Sequence, residues 1–177
     1  MNKYWSDLLN DLEPYVAGEQ PQDRSYIKLN TNENPYPPGP AVLEAIQDAA
    51  ARLRLYPDPD ARPLRRAIAD FYSVGEDQVF AGNGSDEVLG LAFLAFFRNK
   101  PPVSFPDITY SFYPVYCRLF GIPYKVFPLT DQFQIDGSLI PGEAGAIVIA
   151  NPNASTGACL TRAAVEAMLE RFPRRAP

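Results

Sequence analysis

The sequence predicts an α/β fold, a three-layer αβα arrangement built on a mostly parallel sheet and preceded by an N-terminal helical arm. Three observations lead there. Apolar runs of strand length alternate with amphipathic helical stretches along most of the chain. Residues 146–150, Ala-Ile-Val-Ile-Ala, form a continuous β-branched run between Gly145 and Asn151-Pro152, the composition of a strand covered on both faces. Several strand-like runs pass through a short polar or glycine turn straight into a helix start, the crossover that parallel strands require.

Taken in order, Trp5, Leu8, Leu9 and Leu12 fall on one side of a short helix that Pro14 ends. A loop through Gly18 and Pro21 reaches the strand-like Tyr26-Ile27-Lys28-Leu29. Residues 30–40 are too dense in Asn and Pro for regular structure. They are either a functional loop held by the scaffold or a linker between the arm and the main domain. Pro40 opens a helix with a stripe of Leu43, Ile46, Ala50 and Leu53, broken by residues 55–60. Pro63 opens another, with Leu64, Ala67, Ile68 and Phe71 inward and Arg65 and Arg66 toward solvent. A short strand is expected at residues 78–81, then a glycine turn and a helix with Leu89, Phe93, Phe96 and Phe97 on its apolar face.

Residues 101–105 read as a strand with Pro106-Asp107 as its exit. Thr109 is placed to cap a helix over residues 110–120, and Gly121 to end it. Strands follow at residues 124–129, at 133–135 as a short one, and at 146–150, with a polar turn at 151–157. Thr161 caps a last helix whose Val165, Met168 and Leu169 face inward.

Composition narrows the function. The 177 residues carry a formal charge of −5 at pH 7, which argues against a nucleic-acid binder. No apolar run is long enough for a membrane span, and residues 1–7 lack an apolar signal core. Cys117 and Cys159 fit no metal spacing and are expected as reduced thiols of a cytoplasmic protein. With no histidine, a Ser-His-Asp triad, a His-ligated metal and a His general base are excluded within this chain.

Chemistry is expected in three turns that follow strands. In Gly82-Asn83-Gly84-Ser85-Asp86-Glu87 the glycines permit close backbone approach, Ser85 suits a helix N-cap, and the helix start offers N–H groups to an anion. The same composition serves a plain strand-to-helix turn. Tyr110 lies directly after a strand, where open α/β sheets place ligands, and its ring could stack on a flat cofactor or belong to the core. Asn151-Pro152-Asn153-Ala154-Ser155-Thr156-Gly157 is a polar amide turn. Carboxyl ends of parallel strands share one edge, so the three together would suit a flat, phosphorylated cofactor.

The motifs together resemble the histidinol-phosphate aminotransferases, within the fold-type-I pyridoxal-phosphate enzymes. The resemblance is carried by Leu12-Glu13-Pro14-Tyr15-Val16-Ala17-Gly18, Lys28-Leu29-Asn30-Thr31-Asn32-Glu33-Asn34-Pro35-Tyr36, Tyr56-Pro57-Asp58-Pro59, Leu64-Arg65, the Gly82–Glu87 turn, Thr109-Tyr110-Ser111-Phe112-Tyr113 and Asn151-Pro152-Asn153 with Thr156-Gly157. It implies that backbone amides of Ser85, Asp86 and Glu87 hold the cofactor phosphate and that Tyr110 stacks on its ring. It implies further that Tyr56 reaches the cofactor of a partner subunit in a homodimer, and that Asn32, Asn34 and Tyr36 border the substrate. The family pattern is Asn-Pro-Asn-x-Pro-Thr-Gly, with x often an Asn that bonds the cofactor's phenolic oxygen. Here x is Ala154 and the proline is Ser155, so Asn153 is the candidate substitute and the turn is expected to loosen.

The resemblance implies a domain plan of an arm and substrate-side loop over residues 1–39 and a partial cofactor-binding large domain over residues 40–177. It implies that the strand bearing the pyridine-paired Asp, the cofactor lysine and the substrate-gripping arginines lie beyond residue 177. Lys3, Lys28, Lys100 and Lys125 stand in no such context. The expectation is an amino-terminal fragment of a pyridoxal-phosphate aminotransferase, inactive alone, whose parent reaction converts histidinol phosphate and 2-oxoglutarate in histidine biosynthesis. Alternatives are a fragment of a phosphothreonine decarboxylase or another aminotransferase, or a non-catalytic remnant that binds the cofactor or dimerises.

Overall fold

The computed structural model describes residues 3–10, 12, 19, 21, 23 and 26–172. The helix end at Pro14, the loop through Gly18, motif residues 13–18 and the tail 173–177 lie outside the described residues. The chain forms two compact units, one of residues 1–15 with 89–177 and one of residues 16–88.

The first unit holds a three-stranded parallel sheet of β1 (Val103–Pro106), β2 (Tyr124–Phe127) and β3 (Ala146–Ile147), in the order β2-β1-β3. β1 is the central strand and all four of its residues are buried. Val103 pairs with Tyr124 on one side and Ala146 on the other. α4 (Ser85–Phe97) and α5 (Tyr113–Phe120) supply the aromatic core, and α1 (Asp7–Asn10) and α6 (Arg162–Arg171) complete the helices of this unit. Val103 and Phe105 share a face of β1 with the pleat period of two. Phe105 meets Tyr113 and Tyr124 at ring-centroid distances of 5.6 and 5.3 Å, and Phe93 meets Tyr116 at 5.3 Å. Cys117 and Ile122 close the same cluster.

Several elements form for the reasons read from sequence. Gly121 adopts φ 64° after α5, and the next N–H, of Ile122, returns to the Cys117 carbonyl at 2.8 Å. The Thr161 hydroxyl accepts from the Ala164 N–H at 3.2 Å and caps α6. Gly145 is required by close approach: a Cβ there would stand 2.6 Å from Pro101 Cβ and 2.8 Å from its carbonyl oxygen.

Other expectations are corrected. The strand expected over residues 146–150 is only Ala146–Ile147. Val148 N–H still donates to Ser104 O at 2.9 Å, but the next bond of the ladder would need an N–H from Pro106, which has none. The helix expected from residue 110 starts at Tyr113, so Thr109 does not cap it; Tyr110 enters a turn closed by Tyr113 N–H to Tyr110 O at 3.3 Å, and Pro114 occupies the first helical turn. Residues 133–135 make no strand: Phe133 stands at φ 58° in a turn closed by two bonds between Thr130 and Phe133 or Gln134. Residues 26–29 pair with no strand and expose Ile27 and Leu29.

The second unit contains α2 (Pro40–Ala50), α3 (Arg62–Tyr72) and a 3-10 turn at Glu76–Gln78. The strand expected at residues 78–81 is that turn followed by unpaired chain, because the Val79 carbonyl is taken by a side chain rather than a neighbouring strand. α2 buries none of its residues, so the stripe of Leu43, Ile46 and Leu53 stays exposed; this unit has no sheet among its described residues to cover it. In α3 the buried position is Ala69, with Leu64 and Phe71 exposed. Phe96 of α4 and Val165 and Leu169 of α6 are exposed as well. A helical stripe identifies an apolar side; it does not supply a layer to face it.

Two outcomes follow from this core. Phe93→Ala removes a fully buried ring contacting Tyr113 and Tyr116, and should cost about 3–5 kcal/mol in denaturant unfolding. Burial pushes the Cys117 thiol up to about 11, so at neutral pH it is both covered and protonated. Iodoacetamide should label the exposed Cys159 in the native chain and reach Cys117 only after unfolding, as mass mapping will read.

Candidate functional site

Two of the three sequence-predicted turns are joined in the first unit. Past β1, Asp107 N–H donates to Phe127 O at 2.9 Å, extending the β2 ladder by one residue. The Asp107 carboxylate then accepts from Ile108 N–H at 2.9 Å and Leu129 N–H at 3.1 Å, so one side chain fixes the exits of both β1 and β2. The turn after β3 closes on itself. Asn151 Oδ1 accepts from Leu160 N–H at 2.8 Å, Asn153 N–H donates to Ala158 O at 2.9 Å, and Gly157, at φ 73°, donates to Asn153 O at 2.8 Å.

Asn153 and Ser155 tie this turn to the chain that carries Tyr110. Asn153 is 8% exposed; its Nδ2 donates to Ile108 O at 2.8 Å and its Oδ1 accepts from Ser155 N–H at 3.1 Å. Ser155 Oγ donates to Thr109 O at 3.3 Å. The carbonyls of the two residues before Tyr110 are thus both held from one turn. Tyr110 is half-buried, stacked on Phe112 at 5.8 Å and edge-on to Tyr113 at 5.7 Å. Beside it, Thr109 Oγ1 is buried without a hydrogen-bond partner. The Asn151–Pro152 peptide is cis.

The third turn belongs to the second unit. Gly82 approaches its surroundings closely: a Cβ would lie 2.8 Å from Val88 Cγ2 and 3.0 Å from Glu87 Oε2. Gly84 adopts φ 86°, which only glycine takes without strain. Ser85 begins α4, so Asp86 and Glu87 occupy its first turn, whose N–H groups have no carbonyl acceptor inside the helix. Glu87 Oε2 accepts from Asn83 N–H at 2.5 Å, a carboxylate drawn to a turn amide at a helix start.

Sequence reading missed the residue that braces this turn. Arg65, placed on the solvated side of α3, is half-buried; its Nε donates to Val79 O at 3.0 Å and its Nη2 to Glu76 O at 2.6 Å. Arg66 does face solvent, paired with Glu76 at 2.8 Å. The missed Asp107 and Ser155 likewise act on backbone groups far along the chain.

The remaining candidates stand apart from these bonds. Tyr56 is fully exposed, next to a turn in which Asp58 accepts from Asp60 N–H and from Arg62 Nε, holding that carboxyl below its usual range. Thr31 and Asn32 both adopt positive φ, and Asn34 Oδ1 accepts from Tyr36 N–H at 3.0 Å, leaving the Tyr36 ring exposed. Lys28 pairs with Glu33 at 2.6 Å across this loop and lowers the Glu33 pKa. No cluster of metal-ligating side chains occurs among the described residues. None of the described helices is long and apolar enough to cross a membrane.

Arg65→Ala should release residues 76–79. Each bond from a charged donor is worth about 1.5–3 kcal/mol, so amide exchange at residues 79–84 should rise at least tenfold while exchange in α5 stays unchanged.

The sequence matches the family described as aminotransferase class I and II over residues 24–176. It is 56% identical over 177 residues to histidinol-phosphate aminotransferase 1 of Bordetella parapertussis, covering 98% of this chain and 50% of that protein. It is 55% identical over 174 residues to histidinol-phosphate aminotransferase 1 of Methylococcus capsulatus, covering 97% and 48%. Among solved structures, the histidinol-phosphate aminotransferase of Sinorhizobium meliloti in complex with pyridoxal-5'-phosphate superimposes with a TM-score of 0.78 at 22% identity, over 97% of this chain and 48% of that one, a likeness of fold. The chain spans about half the length of the curated relatives it matches. With a parallel sheet, turns at its carboxyl edge and a match over most of its residues, this chain belongs to the class I and II aminotransferases.

Proposed function

We propose that the chain is the amino-terminal part of a pyridoxal-phosphate-dependent aminotransferase whose whole form moves an amino group from histidinol phosphate to 2-oxoglutarate. The observation that carries this is the fastening of Tyr110's loop to the polar turn after β3, at the carboxyl end of a parallel sheet, where α/β proteins take their ligands. Relatives named for this activity support the choice of substrate class.

The residues present fit the cofactor. Gly82 lets the turn pack closely on Val88 and Glu87, Gly84 holds a left-handed turn at a helix start, and the buried Thr109 hydroxyl beside Tyr110 lacks a partner. In this reading the backbone amides of Ser85, Asp86 and Glu87 bind the phosphate, helped by the positive end of α4. The ring of Tyr110 lies against the cofactor ring and excludes water from one of its faces. Asn153 borders the same ring, Tyr56 reaches the cofactor of a second copy in a homodimer, and Asn32, Asn34 and Tyr36 border the substrate. When bound, the cofactor supplies the electron sink for amino transfer. The whole protein works in the cytoplasm on small phosphorylated and 2-oxo acid substrates.

A proton-moving lysine is the part these residues do not provide. None of Lys3, Lys28, Lys100 and Lys125 stands in the sequence context expected of the cofactor lysine, and Lys28 and Lys125 are paired with Glu33 and Glu143. The 177-residue chain should therefore form no glutamate from histidinol phosphate and 2-oxoglutarate with added cofactor. Glutamate production would overturn that part. Equilibrium dialysis should show pyridoxal phosphate retained by the chain, and Tyr110→Ala should weaken retention about three- to tenfold. A chain that retains none removes the cofactor reading.

A further inference from the structure

We propose that Ser155 is a positioning residue for Tyr110, replacing with hydrogen bonds the stiffness a proline would give at this place; this rests on the reading of Tyr110 as the cofactor's ring partner. Two atoms of Ser155 make bonds that a proline cannot. Its N–H donates to Asn153 Oδ1 at 3.1 Å, which orients the carboxamide so that Nδ2 faces Ile108 O at 2.8 Å. Its Oγ donates to Thr109 O at 3.3 Å. Consecutive carbonyls before Tyr110 are thereby held by neighbouring groups of one turn, and that turn is itself closed by Asn151, Asn153 and Gly157.

The side of the loop away from this turn is held by different means. Tyr110 O accepts from Tyr113 N–H at 3.3 Å, and its ring rests on Phe112 and Tyr113. Ring contacts tolerate sliding, whereas two carbonyls gripped from one direction fix the backbone on which the ring is mounted. Losing the grip leaves the aromatic core intact and frees the angle of the Tyr110 ring. Ser155 is exposed, so its replacement removes the bonds without opening a cavity.

The test is amide exchange over residues 107–110 in the 177-residue chain, with pyridoxal phosphate and inorganic phosphate affinities measured beside it. Ser155→Ala, which loses Oγ alone, should raise exchange at Asp107 and Ile108, whose amides donate hydrogen bonds, about fivefold, the weight of one ordinary hydrogen bond. Ser155→Pro, which loses Oγ and the N–H, should raise it further. Ser155→Thr keeps both groups and should restore the parent rates, and α5 should exchange alike in all four chains. Pyridoxal phosphate affinity should fall in the same order while inorganic phosphate affinity holds. Parent-like exchange in Ser155→Ala and Ser155→Pro overturns the inference, as does full pyridoxal phosphate affinity in Ser155→Pro. If the parent chain binds no pyridoxal phosphate, the cofactor reading fails and exchange alone decides whether Ser155 holds the loop.

Discussion

The bonding of β1 from both sides is the constraint on which the first unit depends. The N–H groups of Val103 and Asp107 are aimed at β2, through Pro123 O at 3.0 Å and Phe127 O at 2.9 Å, while the Ser104 carbonyl takes the Val148 N–H from the other side. A strand so held has one rotation and one register, because sliding it by a residue would turn Val103 and Phe105 away from the rings they pack against. Its end is fixed equally firmly. Pro106 cannot extend the pairing with β3, and Asp107 ties the departing chain to the start of the segment after β2. The position of residues 108–110 is therefore a consequence of strand pairing before any contact of their own is counted.

Apolar and polar interactions divide the work from there. The rings of Phe93, Phe105, Tyr113 and Tyr116 make the burial that holds helices against the sheet. That burial is not directional, and it would accept several paths for the chain between β1 and α5. The side chains of Asn153, Ser155 and Asp107 choose one path, since each bond has a direction and a narrow range of length. In the second unit Arg65 does the same: a planar donor group spanning the carbonyls of Glu76 and Val79 sets the chain entering the Gly82 turn, where Glu87 then holds the Asn83 N–H.

Legibility in the sequence follows the range of each interaction. Features decided within a few residues were readable: Pro40 and Pro63 at helix starts, Thr161 three residues from the amide it caps, Gly121 with its left-handed φ. The parallel sheet was also readable, because strand and helix periodicities alternate. Long-range bonds were not. Arg65 acts 14 residues away, Asp107 on Leu129 22 away, and Asn153 on Ile108 45 away, so their types suggest only solvent or a local turn. Exposed stripes failed for a related reason. Leu43 and Ile46 repeat at helical spacing whether or not another layer lies opposite them.

Serine and proline at residue 155 would constrain the turn in different ways. Proline would stiffen the turn by narrowing the freedom of the unfolded chain, worth about 0.4–1 kcal/mol where its geometry fits. Serine gives up that gain and adds two bonds, each worth about 0.5–1.5 kcal/mol net and less where water competes, as it does at this exposed position. The balance for stability is thus close to even, and stability alone does not distinguish the two residues. What differs is where the constraint acts. Proline would restrain residue 155 itself, whereas the serine Oγ and N–H pass restraint, directly and through Asn153, to the carbonyls of Ile108 and Thr109. The serine therefore adds a second link, to the Thr109 carbonyl, and steadies the first, from Asn153 to the Ile108 carbonyl; a proline would leave Asn153 to join the two loops unaided, with Tyr110 next along the chain they hold.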